Sequence, residues 1–394
     1  MTAMGDSRGF YEFFAGGGMA RLGLGAGWTC LLANDNDAKK AAAYLDNFGG
    51  AHFDGRDVYD LTAADLPGRA DMAWASFPCQ DLSLAGSRAG LGARGANAPS
   101  RSGAFYGFWR LMEALDDEGR APSLIVLENV TGLLTSRGGA DFAALCGLLA
   151  GRNYRFGALE IDAARFVPQS RPRLFIVAQK ADRPLDPALV ADADRLSIPS
   201  PFHTPAVRRA AEALPDDVKA NWVWWRLPEP ADRTLTLAGV LEKRPADHLW
   251  FSPEETQALL DKMAPLHMQR VWALQDQGGT HVGAVYRRMR SVRGKKVQRA
   301  EARFDGLAGC LRTPGGGSSR QFLILAEPDR VRVRKLGARE AARLMGLPDS
   351  YRLPQGETAA LHLVGDGVAA PCVAWLARHL LDRLVAGGAG RAAA

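Results

Sequence analysis

The side chain best suited to chemistry is Cys79, in the stretch Ser76-Phe77-Pro78-Cys79-Gln80-Asp81. A thiolate attacks an electron-poor carbon well and leaves again readily, so cysteine serves as a nucleophile in transient covalent catalysis. A free thiol titrates near ~8.5 and needs an electropositive setting to ionise at neutral pH. A turn or helix beginning at Asp81-Leu82-Ser83 would offer backbone N–H groups for that purpose. The competing reading of Cys79 is a small apolar residue closing a buried strand. Pro371-Cys372 repeats the dipeptide without the glutamine, inside an apolar helical pattern, and reads as packing; Cys30, Cys146 and Cys310 have similarly bland surroundings. Five cysteines without Cys-x-x-Cys spacing describe neither a disulfide framework nor a zinc site, so the thiols are expected to be reduced and no metal is expected.

A second cluster of chemistry-bearing residues lies upstream. Gly16, Gly17 and Gly18 in "FAGGGMARLGLGAGW" would let the backbone turn tightly and approach a ligand, with the next helix N-terminus behind them. The glycines at 23, 25 and 27 fit no phosphate fingerprint and read as a short helix with Gly27 near its end. Asp35, in "ANDND", is placed to accept hydrogen bonds from a ribose diol, and Asp57, in "GRDVYDL", holds an equivalent edge position. Either acid alone reads equally well as a helix cap. Together with the glycine turn they favour a cofactor containing a nucleoside.

These residues need a scaffold that brings strand ends together. "FYEFFA", "TCLLAND", "MAWASF", "SLIVLEN" and "RLFIVAQ" read as buried strands, and "GFWRLMEALDDEG" and "ADFAALCGLLAGRN" between them as helices. Such alternation predicts a parallel sheet covered on both faces, with ligands at the carboxyl ends of its strands. A length of 394 residues suggests one large domain and a smaller one. A mean hydropathy of −0.14, no run near the roughly 20 apolar residues of a bilayer span, and no secretory signal predict a soluble cytoplasmic protein. The net charge of +6 is concentrated between Arg287 and Lys335, which points to a polyanionic partner rather than a plain solvated face.

The chain resembles the DNA cytosine carbon-5 methyltransferases. "FAGGG", "PCQ", "ENV" at Glu128-Asn129-Val130, "QSRPR" at Gln169–Arg173, "REAARLMGLPDSY" from Arg339 and "GDGV" from Gly365 follow that family's motif order over nearly the whole chain. The resemblance implies an α/β fold, a Rossmann-like class I methyltransferase domain with a mostly parallel sheet, plus a smaller target-recognition domain. It places a catalytic and cofactor-binding domain at 1–180, target recognition at 181–325, and a segment returning to the catalytic domain at 326–394. It implies that Cys79 adds to carbon 6 of a flipped cytosine and that S-adenosylmethionine gives its methyl to carbon 5. Glu128 would share a proton with N3 and bond the exocyclic amine, Arg173 would hold O2, and Asn129, Gln169 and Arg171 would support the site. Phe14, Ala15, Gly16, Gly18, Asp35, Asn36, Asp57, Val58, Pro78 and Asp366 would hold the cofactor. Asp366 departs from the family's usual Asn; an added carboxylate would strengthen binding of a sulfonium or alter which sulfonium cofactors are tolerated, which comparing the cofactor affinity of the parent with Asp366→Asn checks. Glu12 stands where Asp is more usual and is expected to matter little.

A target carbon inside a duplex is inaccessible, so the base must rotate out, at a cost of a few kcal/mol. The Gly-, Ser- and Arg-rich segment after Cys79 has the composition of a closing loop, with Gln80, Ser83, Arg88, Arg94 and Arg101 available to DNA. Arg287, Arg288, Arg290, Arg312, Ser318, Ser319, Arg320 and Gln321 are candidates for base-edge contact. Thr313, Gly315 and Gly316 belong to a "TPGGG" turn like the family's second recognition loop. Trp222, Trp224 and Trp225 read as the core of the small domain. The implied partner is duplex DNA, bound by a monomer, with a companion restriction endonuclease acting on the same site. Two other readings are an RNA methyltransferase of the same lineage, whose Cys-Phe-Thr signature is missing here, and a non-catalytic DNA-binding module of the same fold.

Overall fold

The computed structural model describes residues 8–78, 104–191, 200–292, 294–313 and 320–389. The chain packs as two compact units, one of Met1–Ile161, Pro172–Glu229 and Cys372–Ala394, the other of Asp162–Arg171 and Pro230–Pro371. The chain passes between the two units near 161, 171, 229 and 371.

The first unit is built on seven strands: β1 (Arg8–Phe13), β2 (Trp28–Asn34), β3 (Phe53–Asp54), β4 (Met72–Ala75), β5 (Leu124–Asn129), β6 (Tyr154–Asp162) and β7 (Pro172–Lys180). Their order in the sheet is β3-β2-β1-β4-β5-β7-β6. The pairs β1–β2, β1–β4, β2–β3 and β4–β5 are parallel, as the continuous apolar runs predict, and β5–β7 is antiparallel. A parallel return needs a crossover of a dozen or more residues, and the segment between β6 and β7 is too short for one. The helices α1 (Met19–Leu24), α2 (Ala38–Phe48), α3 (Ala104–Asp117) and α4 (Ala140–Gly151) alternate with the strands. Asp37 starts α2 by accepting the N–H groups of Lys39 and Lys40. Phe105, Phe108, Trp109, Leu111, Met112 and Leu115 of α3 turn one face into the core, beside Tyr11, Phe13 and Leu127. The end of α1 is at Gly25 (φ 72°), not at Gly27.

Two short helices, α5 (Pro205–Glu212) and α6 (Asp216–Lys219), lead to the tryptophans. Trp225 is 1% exposed and donates its indole N–H to the Val177 carbonyl (3.2 Å). Trp222 meets Phe142 and Phe156 edge-on. They are core, as read, but of the first unit. Gly157 in β6 explains this placement: a Cβ there would stand 2.0 Å from the Val223 carbonyl oxygen, so only glycine admits the segment.

The second unit holds α7 (Leu237–Val240), α8 (Pro253–Leu260) and α9 (Pro265–Asp276), the last two separated where Pro265 starts a new helix. Its sheet joins β8 (His281–Val292), β9 (Lys295–Arg303), β10 (Phe322–Glu327) and β11 (Arg330–Lys335) in the order β11-β10-β8-β9, all pairs antiparallel. The chain continues through α10 (Ala338–Leu344), α11 (Glu357–Asp366), α12 (Ala370–Leu376) and α13 (Asp382–Ala389). The stretch Glu357–Gly387 is long and apolar enough to cross a membrane by composition alone. It is interrupted after Asp366 and 61% of its most apolar window is buried, the pattern of core helices.

Candidate active site

In the first unit the chain runs outward from β1 to β2 and β3, then returns to β4 on the other side of β1. The β1/β4 boundary is therefore the point where strand order reverses, and ligands of open α/β sheets gather at the carboxyl ends there. After β1 comes the glycine turn, and after β4 comes Ser76-Phe77-Pro78. Cys79 follows next in the chain, outside the described residues, as do Gln80, Ser83, Arg88, Arg94, Arg101, Gly315, Gly316, Ser318 and Ser319.

The turn after β1 is held in an uncommon backbone shape. Phe14 (φ 57°), Gly16 (φ 55°) and Gly18 (φ 73°) all lie in the left-handed region, costly for Phe14 and free for the glycines. At Gly18 a Cβ would also collide with the rings of Phe48 and Tyr44, at 2.4 and 2.9 Å. At Gly16 it would meet none of the described residues within 4 Å. Asp35 braces the turn: its carboxylate accepts the Gly16 N–H (2.8 Å) and the Asp37 N–H (2.9 Å). Burial raises the Asp35 pKa, opposed by those two N–H groups and by Lys40. Each of its oxygens keeps a lone pair beyond these bonds, the capacity that a ribose diol requires. Asn36 donates to Asp57 (3.0 Å), and Asp57 caps the short helix that begins at Val58, which is buried. Open backbone, paired acids and an apolar neighbour suit a nucleoside-bearing cofactor.

Across β4, the last two residues of β5 are Glu128 and Asn129. Asn129 donates its side-chain N–H to the Phe77 carbonyl (3.0 Å), which ties the end of β5 to the segment leading into Cys79. Glu128 meets Arg173 at the start of β7, Oε1 to Nε 3.3 Å, and both are largely buried. Pro78 is exposed at the rim.

The other residues of "QSRPR" act within the second unit. Gln169 is buried; its amide donates to the Leu344 carbonyl (2.8 Å) and accepts the Leu311 N–H (2.9 Å). Arg171, 1% exposed, donates to the carbonyls of Leu311 (2.7 Å), Gly365 (2.9 Å) and Gly367 (2.7 Å). Asp162, which the sequence reading passed over, fixes this turn by accepting the N–H groups of Ala164 (3.0 Å) and Arg171 (2.7 Å). An Asp closing a strand ahead of Ala-Ala is a helix-cap signal that would have found it. Gly365 is a close approach: a Cβ would come within 2.8 Å of Arg312 and Thr313 backbone atoms. Asp366 is exposed at the end of α11.

Among the candidates for DNA contact, Arg312 is exposed, whereas Gln321 is buried, trading two hydrogen bonds with the Gly309 backbone (2.8 and 2.6 Å). Arg320 pairs with Glu357 (2.6 Å), and Arg287 lies over the Phe322 ring. Arg288 and Arg290 are half exposed along β8. Two other thiols are held protonated: burial pushes Cys30 up to about 12 and raises Cys146 further. No group of three metal-ligating side chains occurs among the described residues.

A solved structure similar in fold defines the class: the crystal structure of S. pombe Dnmt2 methyltransferase superposes with a TM-score of 0.58 at 17% identity, over 96% of this chain and 98% of that one. The fold is that of a methyltransferase. Residues 9–382 match the family model for C-5 cytosine-specific DNA methylases, and the chain belongs to that family. Type II methyltransferase M.HpaII of Haemophilus parainfluenzae is 24% identical over 394 residues, covering 95% of this chain and 89% of that protein. Type II methyltransferase M.BsuFI of Bacillus subtilis reaches 31% identity over 175 residues, covering 44% of this chain and 39% of that protein.

Proposed function

We propose that this protein methylates carbon 5 of a cytosine flipped out of duplex DNA, with S-adenosylmethionine as donor and Cys79, Glu128 and Arg173 as the groups that touch the base. The observation that carries the reading is the Glu128–Arg173 pair at the end of β5, beside the Asn129 tether to the segment entering Cys79. Carbon 5 of cytosine is a poor nucleophile until a group adds at carbon 6 and turns the ring into an enamine. The Cys79 thiolate forms that bond. Glu128 supplies a proton at N3 and accepts a hydrogen bond from the exocyclic amine, so the electrons pushed into the ring do not build up as a bare anion. Arg173 donates to O2 and orients Glu128 through the ion pair. The bound donor provides a methyl group made electrophilic by its sulfonium. Loss of the carbon-5 proton to water restores the double bond, the bond from carbon 6 to sulfur breaks as the Cys79 thiolate departs, and N3 returns its proton to Glu128. Asp35, Asn36, Asp57 and Val58 hold the nucleoside of the donor, and Gln169 and Arg171 support the second unit by clamping its backbone segments.

The reading includes a monomer acting on duplex DNA inside the cell, with a restriction endonuclease of the same site specificity as a separate protein. The test is incubation with labelled donor and either duplex DNA or transfer RNA. The parent is expected to label DNA and to form a covalent adduct with duplex containing 5-fluorocytosine, and Cys79→Ser to do neither. Full methylation by Cys79→Ser overturns the mechanism, and labelling of transfer RNA alone overturns the substrate.

A further inference from the structure

In the second unit, β10 pairs with β8 only from His281 to Val285. Beyond that point β8 pairs with β9 in a register that joins Tyr286 to Glu301, Arg288 to Arg299, Arg290 to Val297 and Val292 to Lys295, and this ribbon is braced at its base where Ala300 bridges Met263. Seven residues of β8, Tyr286 to Val292, reach about 20 Å past the last rung shared with β10, at roughly 3.3 Å per residue. That rung joins Val285 to Phe322, the residue at which the 312–321 segment enters β10. The ribbon thus begins at the rung where the expected recognition loop enters the sheet.

Its charge is one-sided. Residues 286–301 contain seven arginines and lysines and a single acid, Glu301. Arg290 pairs with Glu301 at 2.5 Å, and Arg288 stands 3.9 Å from the same carboxylate while lying over the Tyr286 ring. Arg288 is also directly across the ladder from Arg299. Like charges opposed in this way destabilise a bare hairpin, and a solvated face would more cheaply alternate signs. A line of cations along a narrow two-stranded arm matches a duplex backbone, which presents phosphates at a regular spacing along each strand.

We propose that the β8–β9 ribbon is a sequence-independent clamp that grips DNA phosphates flanking the modified site. This inference rests on the DNA reading above and deepens it: Arg288, Arg290 and Arg299 set affinity and footprint length, and the sequence is read elsewhere. Because a phosphate contact asks only for charge, lysine can replace arginine in it, whereas bidentate base recognition cannot tolerate that exchange.

The experiment compares the full-length parent with Arg288→Ser/Arg290→Ser/Arg299→Ser and Arg288→Lys/Arg290→Lys/Arg299→Lys. Dissociation constants are measured against salt on duplexes whose flanks reach either about three or about ten base pairs, the latter close to a helical turn, beyond the modified cytosine. The parent and the lysine variant are expected to bind the longer duplex more tightly. The serine variant is expected to lose that gain, its salt slope falling by about 2 to 3, close to 0.9 per lost phosphate contact. Three results overturn the clamp: a length gain that survives in the serine variant, a loss in the lysine variant equal to that in the serine variant, or a changed methylated sequence in either. Self-association of the serine variant with the length gain intact overturns it too, since the charges would then only protect an edge strand from pairing. Failure of the parent to methylate any duplex instead refutes the parent reading, a result separable from all of these.

Discussion

Two arginine–glutamate pairs, one in each unit, are built to opposite specifications. In the second unit Arg334 grips Glu340 with both nitrogens, at 2.7 and 2.6 Å, and the same carboxylate accepts the N–H groups of Gly337 (2.9 Å) and Glu242 (2.8 Å). The pair is sealed, at 2% and 0% exposure, and every acceptor site is engaged. In the first unit Arg173 reaches Glu128 through a single 3.3 Å contact, and no hydrogen bond to the Glu128 carboxyl exists among the described residues. The Arg334–Glu340 pair is saturated and can only hold the structure. Among the described residues the Glu128–Arg173 pair is oriented but unsaturated, which is the capacity its proposed role requires, at the strand ends where the topology gathers ligands. Saturation, more than the presence of an ion pair, separates a structural pair from a working one.

Removing the carboxylate from each pair sharpens the contrast. Glu128→Gln is expected to lower the methylation rate by about 10² to 10⁴, the usual span for a lost general acid, with the unfolding midpoint unchanged. If melting falls along with activity, the pair is structural and the contrast collapses. Glu340→Ala leaves a guanidinium buried without its partner, which costs about 3 to 5 kcal/mol of stability. Denaturant titration reads that loss, while the rate per folded molecule stays at the parent level. Glu12 supplies the smallest effect and a third specification: a buried carboxyl with no cationic side chain bonded to it. One oxygen accepts the Arg21 N–H (3.2 Å) and the other has no hydrogen-bond partner among the described residues. Burial raises its pKa from 4.5 to about 8. The folded state therefore holds its proton where the unfolded chain has lost it. Its contribution to stability is complete below about pH 4.5 and is lost progressively as pH rises to about 8. Glu12→Gln is expected to flatten that decline in thermal melts across the window, and an unchanged slope would show that Glu12 is ionised in the fold.

The strands that carry the site were legible because each is a short apolar run ending in a polar residue, and burial on both faces leaves no other reading for "MAWASF" or "SLIVLEN". β6 was passed over because Arg155, Gly157 and Glu160 break its apolar pattern, although Gly157 is there to admit Val223 and Trp225. The tryptophans could be recognised as core from their type, but composition does not say which sheet they cover. At the site, Glu128 and Arg173 stand out by motif. The tasks of Gln169 and Arg171 were hidden because their partners at Leu311, Leu344 and Gly365 are 140 to 194 residues away. Gln321 was offered to a base by its residue type, yet its amide is occupied by Gly309. A side chain's type states what it can bond, and only the fold states whether it is already taken.

The reciprocal bonds between Gln321 and Gly309 have an engineering meaning. Together with Gln169 on Leu311 and Arg171 on the Leu311 carbonyl, they lock both stems of the intervening segment to the body of the second unit. The chain between Leu311 and Gln321 is thereby an insert with fixed terminals, and the joints that hold it are made by residues on either side of it.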